Sequence, residues 1–76
     1  MKEFKFKNFR CVEYSPAQFK VYFSYQGEEM CIGYSKALLA PYYSDEKNEE
    51  AILGNSIGDY TDVIRKWEIA KKCANK

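Results

Sequence analysis

Histidine is absent from this chain of 76 residues, so the commonest general base and the commonest metal ligand are both missing. The three cysteines, Cys11, Cys31 and Cys73, are far apart and form no C-x-x-C pair. Without histidine they complete no zinc set and no Cys–His nucleophile. Gly54-Asn55-Ser56-Ile57-Gly58 has two glycines but no following Lys-Ser/Thr, so it is not a phosphate-cradling loop. The run Asp45-Glu46-Lys47-Asn48-Glu49-Glu50 lacks the alternating oxygen ligands and mid-loop glycine of a calcium loop. Two of its carboxylates would need a deep cleft to act as acid and base, and so short a chain has little volume for one. The residues therefore predict no enzyme, no metal and no cofactor.

What remains is chemistry that grips. Lys5, Lys7 and Lys20 alternate with aromatic or aliphatic neighbours, with Arg10 and Tyr22 nearby. Lysine attracts phosphate and an exposed tyrosine offers a stacking plane, so this set is a candidate nucleic-acid contact. Lysines on the outer side of a sheet also keep it soluble and blunt its edges without any ligand. The second set is the pair Tyr42-Tyr43 with the acids that follow it. Residues 44–62 carry a local charge of −5. Tyrosine supplies large, stiff contact area with a polar tip. Carboxylates beside it would steer a basic partner, such as the groove of a nucleic-acid-binding enzyme. Tyr42, Tyr43, Asp45, Glu46, Glu49 and Glu50 are the candidate partner-binding residues. In the plainer case the tyrosines close the end of a small core and the acids are a solvated helix face. A third, narrower feature is Ile69 with Cys73, four apart on a helix flank, which would touch a neighbouring helix or form a dimer seam.

These side chains must be positioned by a small fold. One chain of this length is read as a single domain over 1–76, burying about 60% of the surface its unfolded form exposes. The hydrophobic fraction is 46%, with four Gly and two Pro, which argues for a folded chain over a disordered one. The net charge of +1 argues against a nucleic-acid packager or an acidic DNA mimic. That balance conceals segregation: residues 1–27 carry +3 and residues 63–76 carry +4. Residues 3–14 read as one long strand with a bulge or bend at Asn8, where Phe9 and Cys11 fall out of phase with Phe4 and Phe6 while Val12 and Tyr14 return to it. Ser15-Pro16-Ala17-Gln18 marks a turn. Phe19, Val21, Phe23 and Tyr25 face one way and Lys20, Tyr22, Ser24 and Gln26 the other, the clearest strand in the chain. A short Gln26-Gly27-Glu28-Glu29 connection leads to Met30, Ile32 and Tyr34, alternating with Cys31 and Gly33.

From Ser35 the period changes. A short helix over residues 36–40 ends at Pro41. A second begins near Ser44, with Gly54 just past its end and 55–58 as loop. Over 59–74, Tyr60, Val63, Ile64, Trp67, Ala70, Lys71 and Ala74 recur at helical spacing, with acids at the start and lysines at the end. The expected fold is α+β: a three-stranded antiparallel meander (3–34), short helices and loop (35–58), and a C-terminal amphipathic helix (59–74) packed on one face of the sheet. In layout alone, three strands and a helix resemble the arm-type DNA-binding domains of recombinases. The first residues, Met1 to Lys7, alternate charge and aromatic, unlike a signal peptide. Ala37-Leu38-Leu39-Ala40, the longest aliphatic run, is far short of a membrane span. With three unpaired cysteines, this predicts a cytoplasmic protein with reduced thiols and no membrane association.

Ten Lys and seven Tyr against two Arg match the usage of AT-rich genomes, including many bacteria and their phages. Together these features predict a small cytoplasmic binding protein, monomer or homodimer. It would occupy a macromolecular partner, most readily a protein, as phage- or mobile-element-encoded inhibitors of nucleic-acid-processing or defence complexes do. The alternative is a nucleic-acid-binding module using Lys5, Lys7, Arg10, Lys20 and Tyr22.

Overall fold

The computed structural model describes residues 2–42 and 48–74. It is α+β, with four strands where three were expected: β1 (Glu3–Lys5), β2 (Phe9–Ser15), β3 (Gln18–Tyr25) and β4 (Glu28–Ser35) form one antiparallel sheet in sequential order. The helices are α1 (Lys36–Leu39), continued by a 3-10 turn at Ala40–Tyr42, then α2 (Glu49–Ile57) and α3 (Tyr60–Ala74).

The extra strand comes from the slip in alternation, which is a reversal and not a bulge. The Phe6 N–H donates to the Phe9 carbonyl at 2.8 Å, closing a tight turn over Lys7 and Asn8. Phe4 then pairs with Cys11 across β1 and β2. Because the chain turns back, the two-residue phase restarts: Phe9 and Cys11 face the core, while Val12 and Tyr14 go to the other side. A real irregularity in the ladder does occur further along, between Glu13 and Ser15. At the β3–β4 turn, Gln26 (φ 53°) and Gly27 (φ 81°) are both left-handed, as a two-residue hairpin loop with the right twist requires.

One face of the sheet supplies Phe9, Cys11, Phe19, Val21 and Phe23 to the core, joined by Leu39 from α1, Leu53 and Ile57 from α2, and Val63 from α3. Phe4, Tyr25, Met30, Ile32, Tyr34, Tyr60, Ile64 and Trp67 pack around it. Trp67 lies edge-on to Phe23, centroids 6.0 Å apart, and tilted against Tyr25 at 5.4 Å, so its expected core role stands. The apolar stripe of α3 stops there; Ala70, Lys71 and Ala74 are exposed because the helix outruns the sheet. The start of α3 is capped by Asp59, whose Oδ1 accepts the Asp62 N–H at 2.9 Å. Ser44, the expected cap of the middle helix, lies outside the described residues.

The middle helix departs most from expectation. It runs through Gly54 and Asn55-Ser56-Ile57, which were expected to be a helix stop and a loop, and ends at Gly58. Gly54 is there for close approach: a Cβ at this position would lie 2.9 Å from Cε1 of Phe6, whose ring stacks on Phe9 at 4.8 Å. The β1–β2 turn therefore presses directly on α2. In a helix interior, Gly→Ala gains about 1 kcal/mol from propensity alone. Here Gly54→Ala is expected to gain less or lose stability, and to recover the full gain when Phe6→Ala removes the ring. A double-mutant cycle by urea denaturation should show a coupling of roughly 0.5–3 kcal/mol between the two sites. Additive effects would mean that Phe6 does not rest on Gly54.

Candidate functional site

The helices cover one face of the sheet, and no described residue covers the other. By the pairing register, Glu3, Lys5, Arg10, Val12, Lys20, Tyr22, Ser24, Glu29, Cys31 and Gly33 share that outer face. The sequence-derived set of Lys5, Arg10, Lys20 and Tyr22 is thus brought together on one open surface. Lys7 sits beside them in the β1–β2 turn, exposed. Tyr14 joins the face and is 53% exposed; it was missed because its phase was read through an unbroken strand.

The geometry decides what these cations can still do. Arg10 lies opposite Tyr22 in the ladder, and its guanidinium stands 4.3 Å from the Tyr22 ring centroid. Its Nη2 donates to Glu29 Oε1 at 3.1 Å, and its Nη1 is 4.0 Å from Glu3 Oε1. Lys20 Nζ sits 3.7 Å above the Tyr14 ring. Each exposed cation–π contact is worth about 0.5–1 kcal/mol, and each exposed ion pair about 0–1 kcal/mol. These contacts add little stability, but they hold both tyrosines and the arginine in defined poses. A shallow recess of about 360 Å³ opens where this face meets the β1–β2 turn, walled by Phe6, Phe9, Arg10, Tyr22, Ser24 and Glu29 among others. It offers an aromatic floor with a cation and an acid at its rim.

Of the acidic candidate set, the described residues include the side chains of Glu49 and Glu50 alone. Tyr43, Asp45 and Glu46 lie outside the described residues, and of Tyr42 only the backbone is described. Glu50 is exposed, but Glu49 is buried at 6% and accepts Lys2 Nζ at 3.2 Å. This pair ties the segment before β1 to the first turn of α2. Glu49 is thus engaged within the fold, whereas Glu50 stays exposed. The pattern allowed no other reading in advance, because Lys2 and Glu49 are 47 residues apart. Ile69 is 58% exposed and Cys73 is exposed, so that flank of α3 packs on none of the described core.

Inside the core are two titratable groups of a different kind. Cys11 is fully buried, and burial, with the nearby Glu49 carboxylate, pushes its thiol up to about 12. Tyr34 is pushed up to about 12 by burial and then by Asp62 and Cys11, and its hydroxyl has no hydrogen-bond partner among the described residues. Neither is a nucleophile at neutral pH. A raised acid pKa favours the neutral form in the folded state. This contribution is complete below the unfolded values of about 9 and 10 and is lost as pH rises through about 12. The urea midpoint should therefore fall steadily above pH 9. At pH 8, two thiols, Cys31 and Cys73, should react with a thiol reagent in the native protein and the third only on unfolding; three fast thiols would contradict the packing.

Among the described residues, no group of three or more Cys, Asp or Glu side chains is placed to hold a metal ion, and no helix is long and apolar enough to cross a membrane. No family model, no curated protein and no solved structure matches the chain.

Proposed function

We propose that this protein is a non-enzymatic binding protein that works by occupying a protein partner, as an inhibitor would, with the uncovered outer face of the sheet as its contact surface. The observation that carries this reading is the engagement of Arg10. It is held by Glu29, Glu3 and the Tyr22 ring, on a face where two acids stand among three cations and two tyrosines stand out. Tyrosine and arginine are the residue types enriched at the centres of protein interfaces. A surface built for phosphate keeps its cations unopposed by carboxylates, since each neutralised arginine removes one counterion-releasing contact. Lys5, Lys7 and Lys20 support the nucleic-acid alternative, and the two readings separate by experiment.

The test is capture of partners from a lysate of the native host, with and without nuclease, followed by titration of the captured species. On the protein-partner reading, capture survives nuclease. Tyr22→Ala and Arg10→Ala then each weaken binding by roughly 30-fold or more, the size of an interface hot spot, and Lys5→Glu with Lys7→Glu changes it little. Nuclease-sensitive capture with a steep salt dependence, abolished by those lysine reversals, would overturn it in favour of nucleic acid. Loss on Tyr42→Ala and Tyr43→Ala with Tyr22→Ala silent would move the contact to the tyrosine–acid segment.

A further inference from the structure

The two edges of the sheet are built differently. β1 is three residues long and carries Glu3 and Lys5, the short, charged edge that resists pairing with another strand. β4 is the opposite edge. It has eight residues, with an uncharged stretch, Met30-Cys31-Ile32-Gly33-Tyr34-Ser35, and no proline. The two-residue turn at Gln26-Gly27 makes Tyr25 and Glu28 a hydrogen-bonded pair. Alternation along the β3–β4 register then turns the main-chain groups of Met30, Ile32 and Tyr34 toward β3. Those of Glu29, Cys31, Gly33 and Ser35 point outward. Among the described residues, no main-chain hydrogen bond outside the regular ladders reaches those of Glu29, Cys31 or Gly33, while the Ser35 carbonyl opens α1.

We propose that β4 pairs antiparallel with β4 of a second copy about a two-fold axis normal to the sheet, giving a continuous eight-stranded sheet. The occupant is identified by how the strand complements itself. Acids stand at its start, Glu28 and Glu29, and a lysine, Lys36, follows its end. Setting Ile32 against the second copy's Ile32 places Glu28 beside the second copy's Lys36, and Met30 beside its Tyr34. It also places Cys31 opposite Gly33, which joins their outward main-chain groups in hydrogen-bonded pairs, and Glu29 opposite Ser35, whose N–H faces it. Lys36 holds Glu13 of its own chain at 3.1 Å, so pairing exchanges that contact for the second copy's Glu28. A side chain at Gly33 would meet nothing within 4 Å, which leaves room for the Cys31 that faces it. The axis keeps both helical layers on one side and joins the two outer faces into one. This edge contact is independent of what the outer face binds.

The test is sedimentation equilibrium of the full chain from low micromolar to millimolar concentration. The expected result is a rise from the 8.9 kDa monomer to twice that mass. Cys31→Pro should remain monomeric with its circular dichroism unchanged, because it deletes an outward N–H and none of the bonds to β3. A second measurement does not depend on that variant folding. Chains carrying Cys73→Ser are mixed with chains carrying Cys31→Ser, Gly33→Cys and Cys73→Ser and oxidised mildly. Opposed residues in such a pair lie about 5.5 Å apart at Cα, within disulfide reach, so a mixed disulfide dimer should form faster in the mixture than in either chain alone. A monomer at every concentration, a dimer that survives Cys31→Pro, or cross-linking no faster in the mixture than in either chain alone would each overturn the proposal.

Discussion

Phe19→Ala is expected to unfold most of the protein at 37 °C. Phe19 is fully buried near the start of β3, an inner strand, between Glu13 on β2 and Tyr34 on β4. Phe4 meets its ring edge-on at 6.4 Å between centroids, and the Lys36 ammonium lies 4.9 Å from the ring centroid. Removing a buried phenyl costs about 3–5 kcal/mol, because the transfer free energy is lost and a cavity remains. A domain of this size holds roughly 4–11 kcal/mol in total, so the loss is comparable with the whole. Phe19→Leu keeps most of the volume and should cost well under half as much. Urea denaturation of both variants checks this. Equal midpoints would show that the core can collapse around position 19.

Gly58→Ala is expected to be the next most damaging change, lowering the melting temperature by roughly 10 °C or more. Gly58 has φ 93° and ψ −159°, a region that only glycine occupies readily, and forcing another residue there costs about 1–3 kcal/mol. For a 60–100-residue domain, each kcal/mol shifts the melting temperature by about 4–8 °C. Space is lacking as well. A Cβ on residue 58 would fall 2.6 Å from Oδ2 and 2.9 Å from Cβ of Asp62. Asp62 cannot retreat without loss, because its N–H is held by the Asp59 cap and its carboxylate by Arg65 at 2.6 Å and Lys66 at 3.2 Å.

Burial opposes ionisation of Asp62, but hydrogen bonds from Arg65 and Lys66 outweigh it and hold the carboxyl below its ordinary value of 3.8. A lowered carboxyl pKa adds stability above the unfolded value, and that part is lost as pH falls through the folded one. The wild type should therefore lose this contribution below about pH 3.8, and Gly58→Ala, with Asp62 displaced, should lose less there. Thermal melts across the acid range check both statements. A Gly58→Ala variant that melts with the wild type would contradict the close packing of the α2–α3 junction.

Much of the layer structure was legible from local pattern. The alternation in β3, a hairpin turning at Gly27 (with Glu28 and Glu29 in β4 and not in the connection), the core-facing Met30, Ile32 and Tyr34, the short helix after Ser35 and the C-terminal helix with Trp67 on its inner stripe all appear where local signals placed them. The strands and the long helix rest on a repeat that one element's own geometry imposes, two residues in a strand and 3.6 in a helix, and the hairpin and short helix on glycine, serine and proline at their ends. The same locality explains the errors. Asn8 marked a break in phase, but a bulge and a hairpin turn break phase alike until the partner strand is known. Gly54 had the composition of a helix stop; its reason for being glycine is Phe6, on a different element.

The candidate surfaces divide along the same line. That Lys5 and, on β3, Lys20 and Tyr22 point away from the apolar side followed from alternation; Arg10 joins them only through the reversal between β1 and β2. Their state did not follow. Arg10 is bound to Glu29, 19 residues away, and Glu49 is buried by a lysine at the other end of the chain; both depend on which elements meet. The absence of histidine and the aromatic share of 17% needed no coordinates to argue against catalysis and for contact. Which cations remain available, which carboxylate is buried and which strand edge stays open were settled by packing between distant segments, a property that no local period encodes.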